Sequence, residues 1–180
     1  MRASARRVSP AKNAWSGRAR PPKNSVTFGP MGGLRLVCFE LRGQELALPI
    51  SAVRETLPLQ PITPVFLTPP CLAGVFSLRG DIVPAIDLGV LLGFPPTEPG
   101  HDARIVVIEH DHDTAGIVVD RLRDLRVLDG ELDPAPANLS AGIGSMLLGV
   151  TATQTGTVRV LDAGAIFAAE PMRALAHVPT

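Results

Sequence analysis

The densest set of metal-capable side chains in the sequence is the run Glu109-His110-Asp111-His112-Asp113. His110 and His112 are two residues apart, so on a β-strand they would share one face and could chelate a metal ion. No third histidine or cysteine lies nearby in the sequence to complete a zinc site. The run therefore has two interpretations: a solvated hairpin turn, or the metal site of a small metal-dependent enzyme or metal-binding protein.

Patterns for other catalytic chemistry are missing from the sequence. Ser77 does not stand in the Gly-x-Ser-x-Gly turn that presents a nucleophilic serine. Neither Cys38 nor Cys71 belongs to a local nucleophile motif or to a spaced set of metal-ligating cysteines. The pair Gly142-x-Gly144 lacks the strand–helix context of a phosphate-binding loop. The residues thus give no basis for catalysis, and we expect no cofactor.

Charge is unevenly distributed along the chain, although the formal net charge is zero. Residues 1–35 hold eight of the seventeen basic residues and no acidic residue, which leaves residues 36–180 with nine arginines against seventeen acids, a net charge of −8. Only 4% of the residues are aromatic. An acidic body with few rings argues against nucleic acid as a partner, because such binding needs a basic face and stacking platforms.

The two ends of the chain are predicted to be tails. Residues 1–33 are rich in Arg, Ser, Pro and Gly without periodicity, which predicts a disordered basic N-terminal tail. This tail has three interpretations: a basic arm that binds acidic lipid or nucleic acid, an inert extension, or a segment upstream of a true start at Met31. We also expect residues 171–180 to form a C-terminal tail.

Localisation is predicted from what the sequence lacks. No apolar segment approaches the roughly 18 residues that a membrane helix requires, and no hydrophobic stretch follows the basic N-terminus. Cys38 and Cys71 fit buried reduced thiols better than a disulfide, which is the alternative. The prediction is a cytoplasmic protein.

The rest of the sequence is organised around residues 72–93, where apolar spacing and turn chemistry coincide. Two apolar runs flank Arg79-Gly80-Asp81, which predicts a β-hairpin. Pro84 in the second run predicts a strand start, an edge or a bulge. Asp87 is the expected N-cap of a short helix, and Gly93 follows its end.

Short strands with Gly and Pro turns are expected through the remaining body. A first hairpin is predicted over residues 34–50, followed by a short helix or tight connection at 51–55. The five prolines of residues 58–70 predict a covered loop leading into the second hairpin. The later predicted elements are a hairpin over 104–119, a strand over 121–128, an apolar segment at 141–151, a final strand over 158–162 and a helix over 163–176 broken at Pro171.

The hairpin carries the pattern G-V-x-x-L-R-G-x-I-V-P-x-x-D-L, which resembles the signature of the CheW family of bacterial chemotaxis coupling proteins. The residues that match it are Gly74, Val75, Leu78, Arg79, Gly80, Ile82, Val83, Pro84, Asp87 and Leu88. Further matches precede and follow it, at Phe39, Gly43, Leu48, Ile50, Val53, Glu55, Val106, Val107, Ile108 and residues 116–120. The resemblance covers about residues 34–168.

The resemblance implies an all-β, CheW-like fold of two five-stranded, SH3-like β-barrel subdomains with short helices, intertwined within residues 34–170. It implies a non-enzymatic adaptor that couples chemoreceptors to the regulatory domain of a CheA-type histidine kinase, and that meets membranes only through those receptors.

The partner-binding residues that the resemblance implies are Arg79, Val53, Glu55, Gly74, Val75 and Gly80. In the family, the residue that matches Arg79 lies at the groove between the subdomains, near the docking site of the receptor tip. A purely structural role for Arg79 is the alternative, in which it ties the hairpin to a carboxylate or to backbone carbonyls.

Overall fold

A computed structural model describes residues 33–96, 98–154 and 156–176, and shows ten β-strands and four short α-helices there. The predicted tail at 1–33 lies outside these residues except for Gly33. The strands are β1 (Leu34–Leu41), β2 (Gln44–Pro49), β3 (Val53–Pro58), β4 (Leu72–Leu78), β5 (Asp81–Asp87), β6 (Arg104–His110), β7 (Asp113–Val119), β8 (Arg121–Leu128), β9 (Leu147–Thr153) and β10 (Gly156–Leu161). The helices are α1 (Leu88–Leu91), α2 (Ala141–Gly144), α3 (Ala163–Ala168) and α4 (Glu170–Ala176).

The strands form two five-stranded sheets, which confirms the predicted fold class. Sheet A has the order β8-β1-β2-β10-β9, and sheet B has the order β3-β6-β7-β5-β4. The chain starts in sheet A, completes sheet B, and then returns to sheet A. In the described part of the chain, no helix is long and apolar enough to cross a membrane.

The main hydrophobic core lies between the two sheets. On β1, Phe39 and Leu41 face this shared core, whereas Leu36 and Cys38 fill the separate interior of sheet A. On β6 the same alternation places Ile108 in the shared core and other residues inside sheet B. Strands buried on both faces must be apolar almost throughout, which explains the continuous apolar runs in the sequence.

The register reveals an internal repeat in which residues 34–55 correspond to 103–124 and residues 71–93 to 146–168. Each repeat has a β-hairpin, a crossing strand, a second hairpin and a helix, and the second hairpin of each repeat pairs in parallel with the first hairpin of the other repeat. Asp87 and Asp162 occupy equivalent positions, and each caps its helix by accepting a hydrogen bond from the backbone N–H three residues on. Few side chains are identical between the repeats, so the sequence pattern alone did not reveal the duplication.

The hairpin of residues 72–93 forms as predicted, with the helix capped at both ends. Asp87 Oδ1 accepts from the Val90 N–H at 3.1 Å, and Gly93 follows the helix with φ of 90°. Pro84 pairs with β4, and the parallel pairing of β5 with β7 begins only at the next residue. On its β7 side, the missing N–H of Pro84 therefore costs no ladder hydrogen bond.

Three predicted segments differ in part from the structure. For residues 51–55 the predicted short helix or tight connection is present only as a 3-10 helix at Ile50–Ala52, and β3 begins directly after it, because Val53 and its neighbours pair with β6. The loop of residues 58–70 is not covered at its tip, where Phe66 and Leu67 are exposed. Residues 171–176 of the predicted C-terminal tail lie in α4, and Met172 is buried in the core between the sheets.

Equivalent glycines in the two repeats allow a loop to approach an edge strand closely. A Cβ on Gly74 would lie 2.3 Å from the Thr63 carbonyl oxygen, and a Cβ on Gly149 would lie 2.5 Å from the Asp133 carbonyl oxygen. Gly74 also has φ of 147°, a conformation that side chains disfavour. The loops could not pack at these places if either glycine carried a side chain.

We predict that Gly74→Ala and Gly149→Ala each lower the free energy of unfolding by about 2 kcal/mol or more, through overpacking against backbone. Urea denaturation measures this. Gly100→Ala is the matched control, because its Cβ would meet nothing within 4 Å, and it should stay within about 0.5 kcal/mol of wild type. Unchanged midpoints for both core variants would contradict the close approach.

Candidate protein-binding surface

Arg79 is presented by a two-residue turn between β4 and β5. Leu78 pairs directly with Asp81, and both turn residues have positive φ, 53° for Arg79 and 96° for Gly80. This geometry is that of a type I′ turn, which matches the twist of the flanking strands. Gly80 adopts it freely, whereas it is uncommon for an arginine. The turn thus holds Arg79 at the end of the hairpin, with 73% of its side chain exposed.

Arg79 pairs with Glu55 across the two edges of sheet B. The Arg79 Nη2 donates to Glu55 Oε2 at 3.0 Å, and only 19% of the Glu55 side chain is exposed. Glu55 lies on β3 at one edge of the sheet, and the hairpin of β4 lies at the other, so sheet B must curl for the pair to form. Such an exposed pair contributes at most about 1 kcal/mol to stability. The pair therefore matters mainly because it orients the Arg79 side chain, whose guanidinium keeps an open face.

Val53 borders a cleft at the point where the chain crosses from sheet A to sheet B. The cleft has a volume of about 410 Å³. Arg54 and Glu109 approach each other there at 3.8 Å. The lining residues are Ser51, Ala52, Val53, Arg54, Glu109, His110 and Asp111. Most of these lining residues are polar or charged, and Val53 lies on the same strand as Glu55.

Gly74 and Val75 lie on β4 beneath the Pro-rich loop. Val75 exchanges two backbone hydrogen bonds with Thr63, at 2.8 and 2.9 Å. The structure thus brings Arg79, Gly80 and Glu55 together, with Val53 nearby on β3, while Gly74 and Val75 hold the loop. The six residues named from the sequence therefore fall into two groups with different local roles.

The histidine cluster at 109–113 forms the end of a β-hairpin. His110 pairs with Asp113 at the strand ends, and Asp111 and His112 make the turn. The His110 ring stacks on Phe167 of α3 with centroids 6.5 Å apart. In residues 33–96, 98–154 and 156–176, no group of three or more His, Cys, Asp or Glu side chains is placed to hold a metal ion. The geometry gives the metal-site interpretation no support.

Arg42 makes a polar clamp between the sheets that the sequence pattern did not predict. Its Nη2 lies 3.4 Å from Asp87 Oδ2, and its backbone N–H donates to Asp120 Oδ2 at 2.6 Å. Arg42 belongs to a turn of sheet A, whereas Asp87 ends β5 and Asp120 follows β7, both strands of sheet B. One signal was present: the tripeptide Leu-Arg-Gly occurs at residues 41–43 and again at 78–80. Arg42, like Arg79, has positive φ in a two-residue turn.

The family of this chain follows from its match to a known domain. The sequence profile of the CheW-like domain matches residues 35–170. The chain belongs to the CheW-like family.

This CheW-like chain is similar to two chemotaxis proteins in sequence and to one solved structure in fold. It is 31% identical over 144 residues to a chemotaxis protein CheW of Rhizobium meliloti, covering 79% of this chain and 93% of the relative. It is 33% identical over 108 residues to a chemotaxis protein CheW of Helicobacter pylori, covering 59% of this chain and 66% of the relative. The fold matches the crystal structure of the scaffolding protein TtCheW from Thermoanaerobacter tengcongensis with a TM-score of 0.69 at 24% identity, covering 77% of this chain and 95% of that one.

Both cysteines of this CheW-like domain are free and buried. Burial raises the pKa of the Cys38 thiol to about 11, and burial likewise raises the pKa of Cys71. Thiols with such a pKa stay protonated near neutral pH, whereas a reactive cysteine needs its thiolate. Neither thiol is therefore suited to nucleophilic chemistry.

We predict that Arg42→Ala lowers the free energy of unfolding by about 1–3 kcal/mol, because it leaves the half-buried Asp87 carboxylate without its cation. Denaturant titration measures the loss. Arg123→Ala, which removes a more exposed arginine paired with Glu40, should cost less than about 1 kcal/mol. Equal losses in the two variants would contradict the clamp.

We further predict that stability falls as the pH rises from about 9 to about 11. In the folded state the Cys38 thiol stays neutral in this range, whereas in the unfolded chain it ionises near its ordinary pKa, so rising pH favours unfolding. Thermal unfolding of wild type and Cys38→Ala across this range measures the effect. The variant should show a shallower alkaline decline, and parallel declines would contradict the assignment.

Proposed function

We propose that this CheW-like protein is a non-enzymatic adaptor of a bacterial chemosensory array. It binds the cytoplasmic tip of a methyl-accepting chemoreceptor and the regulatory domain of a CheA-type histidine kinase, and holds the two in one assembly. It works in the cytoplasm and meets the membrane only through its receptors.

The observation that carries this proposal is the family match across residues 35–170, together with relatives that are chemotaxis proteins. The geometry of the described residues is compatible with a non-enzymatic adaptor, because the side chains that could carry out chemistry are dispersed in turns and ion pairs. The exposed Arg79 turn, braced by Glu55, offers a charged and oriented contact of the kind that recurs at protein interfaces.

Coupling through such an adaptor is a free-energy linkage between two binding sites. The state of the receptor biases the state of the kinase only as far as the adaptor contacts differ between those states. A rigid two-sheet body with a shared core suits this role, since packed elements transmit small displacements rather than absorbing them. We assign Arg79, with Glu55 and Val53 beside it, to the receptor contact.

We predict that Arg79→Ala weakens binding of a receptor-tip fragment by about tenfold, because the variant loses the oriented guanidinium. Isothermal titration calorimetry with the purified fragment measures this. Arg121→Ala is the matched control, since Arg121 is also an exposed arginine in a single ion pair, with Asp102 at 2.9 Å.

The control should bind like wild type, and both variants should unfold at the wild-type temperature. If Arg79→Ala is folded and binds both receptor and kinase at wild-type affinity, the assignment of this residue is wrong. If wild type binds neither partner, the adaptor function itself is wrong.

A further inference from the structure

The Pro-rich loop of residues 58–70 carries three consecutive exposed apolar side chains. Val65, Phe66 and Leu67, here named the apolar tip, are 42%, 88% and 106% exposed. Single exposed apolar residues are common on protein surfaces, but a contiguous cluster with an almost fully exposed phenylalanine is typical of an interaction site. Nothing in the candidate site described above uses this cluster.

The apolar tip is held in one shape by its surroundings. The Thr68 hydroxyl donates to the Val65 carbonyl oxygen at 2.8 Å, which closes the turn across Phe66 and Leu67. Pro64 restricts the chain before the tip, and the two backbone hydrogen bonds of Thr63 to Val75 anchor the loop to β4. A rigid element loses little conformational entropy when it binds, so the tip is preorganised for docking.

Leu67 occupies a backbone conformation that leucine disfavours. Its φ is 61°, in the left-handed region that a residue with a Cβ occupies at a cost of roughly 1–2 kcal/mol. Glycine or asparagine would fit this position better. Leu67 is fully exposed, so no packing within the chain offsets this cost.

The internal repeat provides a comparison for the same loop without such a tip. In the second repeat, Asp133 makes the equivalent pair of backbone hydrogen bonds with Val150, both at 2.9 Å. The loop that follows reads Pro134-Ala135-Pro136-Ala137, and it exposes no large hydrophobic side chain. The fold therefore builds this loop without an apolar tip, which indicates that Phe66 and Leu67 serve a purpose outside the chain.

The absence of charged residues from the sequence around the tip defines what the tip can bind. No charged residue occurs between Glu55 and Arg79 in the sequence. A peripheral membrane anchor usually combines apolar side chains with basic residues that attract anionic lipid, and this stretch has none. An uncharged apolar pocket on a folded protein is the complementary surface.

The loop that carries the tip is attached to β4 at a point away from Arg79. Thr63 pairs with Val75, four residues along β4 from Arg79, a span of about 13 Å on a strand. An adaptor that holds two partners at once needs two separate surfaces. With Arg79 assigned to the receptor, the tip is available to the kinase.

We propose that the apolar tip inserts Phe66 and Leu67 into an uncharged apolar pocket on the regulatory domain of the histidine kinase. This inference rests on the proposed adaptor function and adds the second contact surface to it.

The test uses the full chain carrying the double substitution Phe66→Ser/Leu67→Asn. The matched control is Leu125→Ser, which removes a leucine that is 63% exposed on β8 of sheet A. Calorimetry measures binding to the purified kinase regulatory domain and to a receptor-tip fragment. Vesicles of phosphatidylcholine and phosphatidylglycerol test lipid binding, and the melting temperature reports on folding.

The double variant is expected to bind the kinase domain at least about tenfold more weakly, to bind the receptor fragment like wild type, and to melt no lower than wild type. The control should match wild type in every measurement. Undiminished kinase binding by the double variant would overturn this inference and leave the adaptor function standing.

Three other outcomes also overturn the inference. Weakened receptor binding with intact kinase binding would assign the tip to the receptor. Vesicle binding by wild type that the double variant loses would make the tip a lipid contact. Failure of wild type to bind either protein would refute the adaptor function on which the inference rests.

Discussion

Every other feature of the fold is built around the packing of sheet A against sheet B. Phe39 and Leu48 from one sheet meet Ile108 and Ile117 from the other in a single buried core. The chain enters sheet A, builds sheet B and then returns, so sheet A is made of segments from both sides of the one that forms sheet B. The polar clamp of Arg42 on Asp87 and Asp120 adds direction to this apolar contact, since it fixes a turn of one sheet against strand ends of the other.

This arrangement determines where function can lie. Strands buried on both faces leave no room for a large internal ligand, so partner contacts fall to edges and turns. The two repeats supply similar edges and turns, and their differences mark what the fold itself does not require. Arg79 stands in the turn between β4 and β5, and the apolar tip stands in the loop before it, whereas the second repeat has Gln154 and the Pro-Ala loop at the equivalent positions. Both distinguishing features lie on the same repeat.

Local chemistry made part of this structure predictable from sequence. Asp87 and Gly93 lie at the two ends of their helix as predicted, because caps and turns depend on neighbouring residues. The crossing strand at Val53 was predicted as part of a short helix or tight connection, since its alternation is interrupted by polar residues and it becomes a strand by pairing with β6. The Arg42 clamp joins residues 45 positions apart, and no local pattern carries such a contact. The loop that contains Phe66 was predicted to be covered, because apolar residues are usually buried.

If one chain holds receptor and kinase through separate surfaces, it must bind both partners at the same time. Analytical ultracentrifugation of a mixture of the full chain, a receptor-tip fragment and the kinase regulatory domain tests it most directly. A single species that contains all three proteins and sediments faster than either pairwise complex is expected. Displacement of one partner by the other, with only pairwise complexes present, would contradict it.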